Sequence, residues 1–191
     1  MKETDLLKLF EETQALLNGH FELRSGLHSN RFFQCALLLQ YPRIAEQVCV
    51  ALVDKMKAVL GDLEVDTVIS PALGGIPVGH EIARALGTRF IFAEKNTEKM
   101  LTMRRFTIKK GERFLVAEDV ITRGGRVQET IDIVEQHGGI VHSVGVLVNR
   151  SGGKAKFNYP TVSLLDIEPV TWEPAECPLC KQRLPLVHPG S

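Results

Sequence analysis

Tryptophan occurs once, tyrosine twice and cysteine four times in 191 residues. Four thiols do not force a disulfide framework on a chain this long, and a reducing compartment would leave them as thiols. Excess charge of either sign is missing as well, since 23 Lys and Arg balance 23 Asp and Glu. No global basic field therefore points to nucleic acid or to an anionic membrane. There is no apolar run long enough to cross a bilayer and no basic leader followed by an apolar core, so a cytoplasmic protein is expected, with no membrane partner. Internal repeats and low-complexity linkers are also absent, and the length suits one domain with a sizeable core. Any anionic ligand must be met by local positive charge.

What is present centres on Arg113 to Val127. An apolar run ends in Glu118 and Asp119. A short turn holding Thr122, Gly124 and Gly125 follows, and then the helical spacing Val127, Ile131, Val134 begins. This is a strand, a turn and a helix start. In an open parallel sheet, ligands bind outside the carboxyl ends of strands, so the acid pair would face the site. Small residues let the Thr122 to Gly125 backbone wrap an anion, and the following helix N-terminus offers it free N–H groups. Two carboxylates beside a phosphate cradle would repel the same ligand unless it also presents hydroxyls for them to accept from. A sugar phosphate satisfies both demands; the plainer reading is an ordinary strand-to-helix turn with exposed acids.

Val116 to Val127 resembles the phosphoribosyl-diphosphate (PRPP) signature of type I phosphoribosyltransferases. The resemblance implies an α/β fold, a parallel sheet flanked by helices with a small N-terminal hood. It implies that Glu118 and Asp119 hold the ribose hydroxyls. Val120, Ile121, Thr122, Arg123, Gly124, Gly125 and Arg126 would bind PRPP, the loop from Thr122 to Arg126 holding its 5-phosphate.

Before this stretch, Leu6, Leu7, Leu9, Phe10, Leu16 and Leu17 fall at roughly helical spacing over residues 3 to 17, with Asn18-Gly19 as the stop. Residues 19 to 34 read as two short extended segments around a Ser-Gly turn. Their Phe21-Glu22-Leu23-Arg24-Ser25-Gly26, then Ser29, then Phe32-Phe33, is similar to the amino-terminal segment of orotate phosphoribosyltransferases. That family usually has lysine where this chain has Arg24, at a position that contacts the base carboxylate. The guanidinium keeps the charge and offers a fork suited to a carboxylate. The resemblance makes Phe32 and Phe33 stack on the pyrimidine; plain core packing is the other reading of both rings.

Ile44 to Leu60 has a helical pattern ended by Gly61, Val65 to Ile69 is a short strand, and a helix is expected from about Ile76 to Leu86. Between strand and helix, Leu73-Gly74-Gly75 looks like the family's second anion loop, which meets the pyrophosphate leaving group. Many members carry a Tyr-Lys pair there, so pyrophosphate contacts in this chain would rest on backbone N–H groups. A strand over Thr88 to Ala93 leads into a polar, charge-mixed segment from Glu94 to Arg105 that resembles the family's mobile catalytic loop. The familiar loop has an Arg-Lys pair, another Lys and a His. This one has Glu94-Lys95, then Lys99, and no histidine. Lys99 is the expected catalytic cation, Lys95 the second, with Arg104 or Arg105 as substitutes; a solvated charge run is the alternative.

Strands are expected over Ile140 to Val148 and Thr161 to Leu165. Arg150 follows the first of these, and the resemblance makes it an orotate contact, with Thr122 beside the base. Near the end stands Cys177-Pro178-Leu179-Cys180. A structural zinc needs four ligands, and no second C-x-x-C or paired histidines follow; His188, Cys35 or Cys49 would complete a site only through folding. No protein metal site is therefore assigned.

The resemblance covers most of the chain, in family order. It implies an orotate phosphoribosyltransferase acting on PRPP and orotate with Mg2+, the metal held mostly by the diphosphate and ribose hydroxyls. Asp119 would act in catalysis with Lys99 and Lys95. One domain is expected, its hood built from residues 1 to 40 and part of the tail. The Leu-rich first helix and the family habit suggest a homodimer. Two rivals remain: a phosphoribosyltransferase for another base, and a PRPP-binding regulator of the same fold.

Overall fold

The computed structural model describes residues 1, 3–23, 25–167 and 170–188. It divides into two compact units, Met1–Gln40 with Glu168–Ser191, and Tyr41–Ile167.

In the larger unit, Thr67–Pro71 (β3) and Arg113–Ile121 (β6) are central strands, and almost every side chain of both is buried or half-buried. Continuous burial of this kind is what a parallel strand covered on both faces requires. Arg89–Lys95 (β4) lies on one side of β3. On the far side of β6 follow Ile140–Asn149 (β7) and Thr161–Asp166 (β8), all parallel. A two-residue strand, Leu101–Thr102 (β5), closes the β4 edge antiparallel, giving the order β5-β4-β3-β6-β7-β8.

Helices Pro42–Leu60 (α3) and Gly75–Leu86 (α4) pack on each other and on the sheet. Met56 of α3 sits where a side chain on Gly145 would stand, its sulfur 2.8 Å from that Cβ position, so helix and strand approach closely. Gly125–Gln136 (α5) buries Val127, Ile131 and Val134 against Ile69, Phe114, Val116 and Val144. Each such side chain contributes about 1.5–3 kcal/mol of burial.

The connection β3-α4-β4 runs toward one edge of the sheet and β6-α5-β7 toward the other. The crevice between the carboxyl ends of β3 and β6 is therefore the point where the winding reverses, the place where doubly wound sheets bind ligands.

In the smaller unit, Glu3–Glu12 (α1) precedes a hairpin of Leu16–Glu22 (β1) and His28–Phe33 (β2), with Thr171–Trp172 (β9) added to β2. Two short helices, Ala36–Leu39 (α2) and Pro178–Lys181 (α6), complete it. The helix expected over residues 3 to 17 ends early. Leu16 and Leu17 instead pair with Phe33 and Phe32 in the sheet, where cross-strand pairing overrides a helical pattern that was only a weak prior. Leu6 and Phe10 of α1 are fully buried, so those two positions are already used within the chain and offer nothing to a second copy.

Candidate active site

Two loops meet at the reversal of winding. The first follows β6, whose last residues carry Glu118, buried, and Asp119, half-buried. The Asp119 backbone N–H donates to Glu118 Oε1 at 3.1 Å, and the Val120 N–H donates to Asp119 Oδ1 at 2.8 Å, which fixes both carboxylates at the strand end. Burial, and then the charge of Asp119 beside it, pushes the Glu118 carboxyl well above the usual carboxylate range; Arg126 opposes this weakly.

Thr122 and Arg123 are exposed, and Gly124 adopts φ +80° as the residue before α5. A side chain there would be strained and would also run into Phe157, 2.8 Å from the Cβ position. The first N–H groups of α5 have no carbonyl within the helix to bond, so this turn presents donors and positive potential to solvent.

The second loop joins β3 to α4. Its Leu73 is exposed, and the glycines after it bring bare backbone against the acid pair. A Cβ on Gly74 would lie 2.7 Å from Asp119 Oδ2, and one on Gly75 would lie 3.1 Å from Glu118 Oε1. Only glycine lets this backbone approach the carboxylates so closely.

The polar segment expected as a loop is instead a hairpin. β4 continues through Lys95, β5 begins at Leu101, and Asn96 organises the turn by accepting from the Glu98 and Met100 N–H groups through Oδ1. Lys99 sits in this turn with φ +64°. Leu101 is buried against Ala93 and Ile133, and its N–H donates to Glu129 Oε2 at 3.4 Å. Arg126 donates to the same Glu129 oxygen at 2.7 Å and to the Lys99 carbonyl at 3.4 Å. Glu129 therefore ties the hairpin to the phosphate turn. Sequence reasoning passed it over, although its spacing of three from Arg126 on one helix was visible. Of the remaining cations, Arg105 is paired with Glu94 at 2.7 Å and holds that carboxyl below its ordinary range, while Lys95 and Lys99 are exposed.

Arg150 is half-buried just beyond β7, and its N–H donates to the Ile121 carbonyl at 2.7 Å, which seats it beside the phosphate turn. The structure thus brings together Glu118, Asp119, Leu73 to Gly75, Val120 to Arg126, Arg150 and the Lys99 turn within the larger unit.

The other candidates belong to the smaller unit. Arg24 lies outside the described residues. Phe33 is 5% exposed with its ring edge on Phe10, centroids 5.9 Å apart. That contact is core packing, the other reading of this ring. Phe32 is more exposed and leans on Phe21.

Fold and site together define a type I phosphoribosyltransferase: an acid pair and an anion turn at the reversal point of a doubly wound sheet, faced by a glycine loop. The chain belongs to the phosphoribosyl transferase domain family, whose model matches residues 38–181, and within it to the orotate phosphoribosyltransferases. It is 47% identical over 191 residues to the orotate phosphoribosyltransferase of Desulforamulus reducens, covering 100% of this chain and 98% of the relative. To that of Carboxydothermus hydrogenoformans it is 48% identical over 187 residues, covering 98% and 97%. The crystal structure of orotate phosphoribosyltransferase from Aeropyrum pernix superposes with a TM-score of 0.73 at 25% identity, over 85% of this chain and 94% of that one.

Proposed function

We propose that this chain transfers the 5-phosphoribosyl group of PRPP to orotate, giving orotidine 5-phosphate and pyrophosphate in pyrimidine (UMP) biosynthesis. The observation that carries this reading is the acid pair Glu118 and Asp119 held against the bare backbone of Gly74 and Gly75. Ribose hydroxyls and a diphosphate are the two halves of one ligand that such a junction accepts.

In the reaction the bond between the anomeric carbon and the diphosphate breaks, its electron pair leaving with the diphosphate. A ring nitrogen of orotate supplies the pair for the new bond and gives up its proton to solvent. Asp119 and Glu118 orient the ribose by accepting from its hydroxyls and face the positive charge that grows on the sugar. The Thr122 to Arg126 turn anchors the 5-phosphate, which converts binding energy into positioning. Leu73, Gly74 and Gly75 offer backbone donors to the pyrophosphate. Lys99, with Lys95 behind it, answers the negative charge that accumulates on the leaving diphosphate. Arg150, Thr122, Phe32 and Arg24 are assigned to orotate, the two arginines to its carboxylate.

Mg2+ fits this junction. Carboxylate and phosphate oxygens are the donors it takes, and Asp119 stands half-buried at the strand end with its carboxylate at the mouth of the turn. Asp119 would hold it together with the diphosphate and ribose hydroxyls, and when bound it supplies neutralising charge to the diphosphate. Among the described residues no helix is long and apolar enough to cross a membrane. A homodimer is the proposed assembly, checked by light scattering.

The deciding experiment follows loss of orotate absorbance with PRPP and Mg2+, beside uracil and hypoxanthine as competing bases. Orotate-specific turnover is expected. PRPP binding without turnover on any base would replace this reading with the regulator, and turnover on another base would change the substrate.

A further inference from the structure

The smaller unit holds a cluster that the phosphoribosyl chemistry does not use. His20 lies on β1, His28 on β2, and Cys177 and Cys180 bracket the start of α6. One donor atom of each lies within 4.8 Å of all the others. His20 Nε2 is 3.0 Å from His28 Nδ1, 3.5 Å from Cys177 Sγ and 3.6 Å from Cys180 Sγ, and Cys180 Sγ is 3.3 Å from His28 Nδ1. Tetrahedral zinc, with Zn–N of about 2.0–2.1 Å and Zn–S of about 2.3 Å, has ligand-to-ligand edges of about 3.3–3.8 Å. Three of the four residues are buried, and both cysteines are free thiols.

The protonation of His20 is dictated by its surroundings. Its Nδ1 stands 3.0 Å from the Leu184 carbonyl, which can only accept, so Nδ1 carries the proton and Nε2 presents a lone pair to the cluster. A backbone carbonyl behind a histidine is also the usual way a metal-binding imidazole is oriented. Four potential ligand atoms thus converge on one point, with only weak thiol donors and one imidazole N–H at most to link them. A divalent cation resolves this: the two thiols release their protons, and two thiolates, two neutral imidazoles and one M2+ make a neutral cluster. Soft sulfur with imidazole in a four-donor set selects zinc among the common divalent ions.

We propose that His20, His28, Cys177 and Cys180 bind one structural Zn2+ that fastens the carboxyl-terminal tail to the β1–β2 hairpin. The backbone already runs this way, with the Val187 N–H donating to His20 O at 2.9 Å and the Glu22 N–H to Val187 O at 3.0 Å. A small unit with a three-stranded sheet gains most from such a staple, because its core is short of apolar area. The partners considered from sequence are placed elsewhere. His188 faces Glu22 at 3.4 Å, Cys49 points from α3 at the Val78 carbonyl, and Cys35 is the residue before α2.

The test is elemental analysis of tag-free, full-length protein purified under reducing conditions without added metal, where zinc is expected at about one per chain. Chelator-stripped protein titrated with Co2+ should develop the d–d bands of tetrahedral cobalt together with thiolate charge-transfer absorption. Its thermal midpoint should drop on stripping and return with Zn2+. Cys177→Ser and His28→Ala should each lose about tenfold or more of the bound zinc, while Cys49→Ala keeps it. Should a variant fail to fold, release of zinc from the wild-type protein by a thiol-blocking reagent serves in its place, with two thiols modified per ion. Metal-free protein that gives no Co2+ bands overturns the proposal. So does a Cys177–Cys180 disulfide in protein kept reduced, or zinc content unaffected by His28→Ala.

Discussion

Gly74 carries no side chain because Asp119 occupies the space one would need: the Cβ position lies 2.7 Å from Oδ2, 3.1 Å from Oδ1 and 3.0 Å from Cγ of that carboxylate. Two loops some 45 residues apart in sequence are thereby fitted to each other at the level of single atoms. Gly74→Ala should therefore displace Asp119 or its own loop by a few tenths of an ångström or more. Misplacement on this scale costs up to about 10²-fold in turnover. Steady-state kinetics should show kcat/KM for PRPP falling at least tenfold, while Gly87→Ala, strained by its φ of +69° but with open space around it at a helix end, costs stability and leaves kcat/KM within a few-fold. Unchanged PRPP kinetics in Gly74→Ala would remove this junction from the site.

Glu118 is held above the ordinary carboxylate range by burial and by Asp119. A group raised in the folded state contributes stability that is complete below its unfolded value, about 4.3 for glutamate, and lost as pH rises through the folded value. At pH 8 burying this carboxyl is thus a burden, which Glu118→Gln relieves while keeping an oxygen to accept the Asp119 N–H. The variant should gain about 1 kcal/mol, or a few degrees in thermal midpoint, at pH 8 and little at pH 4. It should also lose about 10²-fold or more in activity. A stability gain equal at both pH values would point to packing instead of charge.

Lys99 projects from the turn that Arg126 and Glu129 tie to the phosphate loop. If it meets charge formed only as the diphosphate leaves, Lys99→Ala lowers kcat by about 10²–10³-fold with little change in PRPP affinity. Lys95→Ala should cost about tenfold or less. Equal effects from both, or a purely KM effect, would assign the hairpin to binding.

Leu101 anchors that hairpin on Ala93 and Ile133. Its truncation to alanine removes buried methyl groups at a cost of about 2–5 kcal/mol, and the cost falls on the hairpin. Hydrogen exchange should rise over residues 94 to 102 far more than over β3 and β6, with kcat falling in parallel. Exchange that rises evenly through the sheet would show the hairpin to be part of the common core.

Arg150 emerges from β7 beside the Ile121 carbonyl. Arg150→Ala should raise KM for orotate by about 10–10²-fold, and Arg150→Lys should recover only part of this because a single ammonium cannot reproduce the fork. Loss confined to PRPP would place the guanidinium on the phosphate instead.

The sequence by itself determined the class of fold and the family. The alternating strands and helices, the acid pair and the glycine turn are each written in runs of contiguous residues, where period and composition act directly. α3, α4, α5 and the central strands lie within a few residues of where spacing puts them. The failures occurred where contacts from afar outweighed local pattern. Leu16 and Leu17 fit a helix until Phe33 and Phe32 offered strand partners. The charge-mixed run after β4 reads as loop until Leu101 finds a buried seat on α5. Only the tertiary structure decided that Gly74 faces Asp119, and that His20 and His28 converge on a C-x-x-C about 150 residues downstream. Such pairings depend on strand order and on which segments share a sheet. A single sequence states what each residue can do, while the fold alone states what stands across from it.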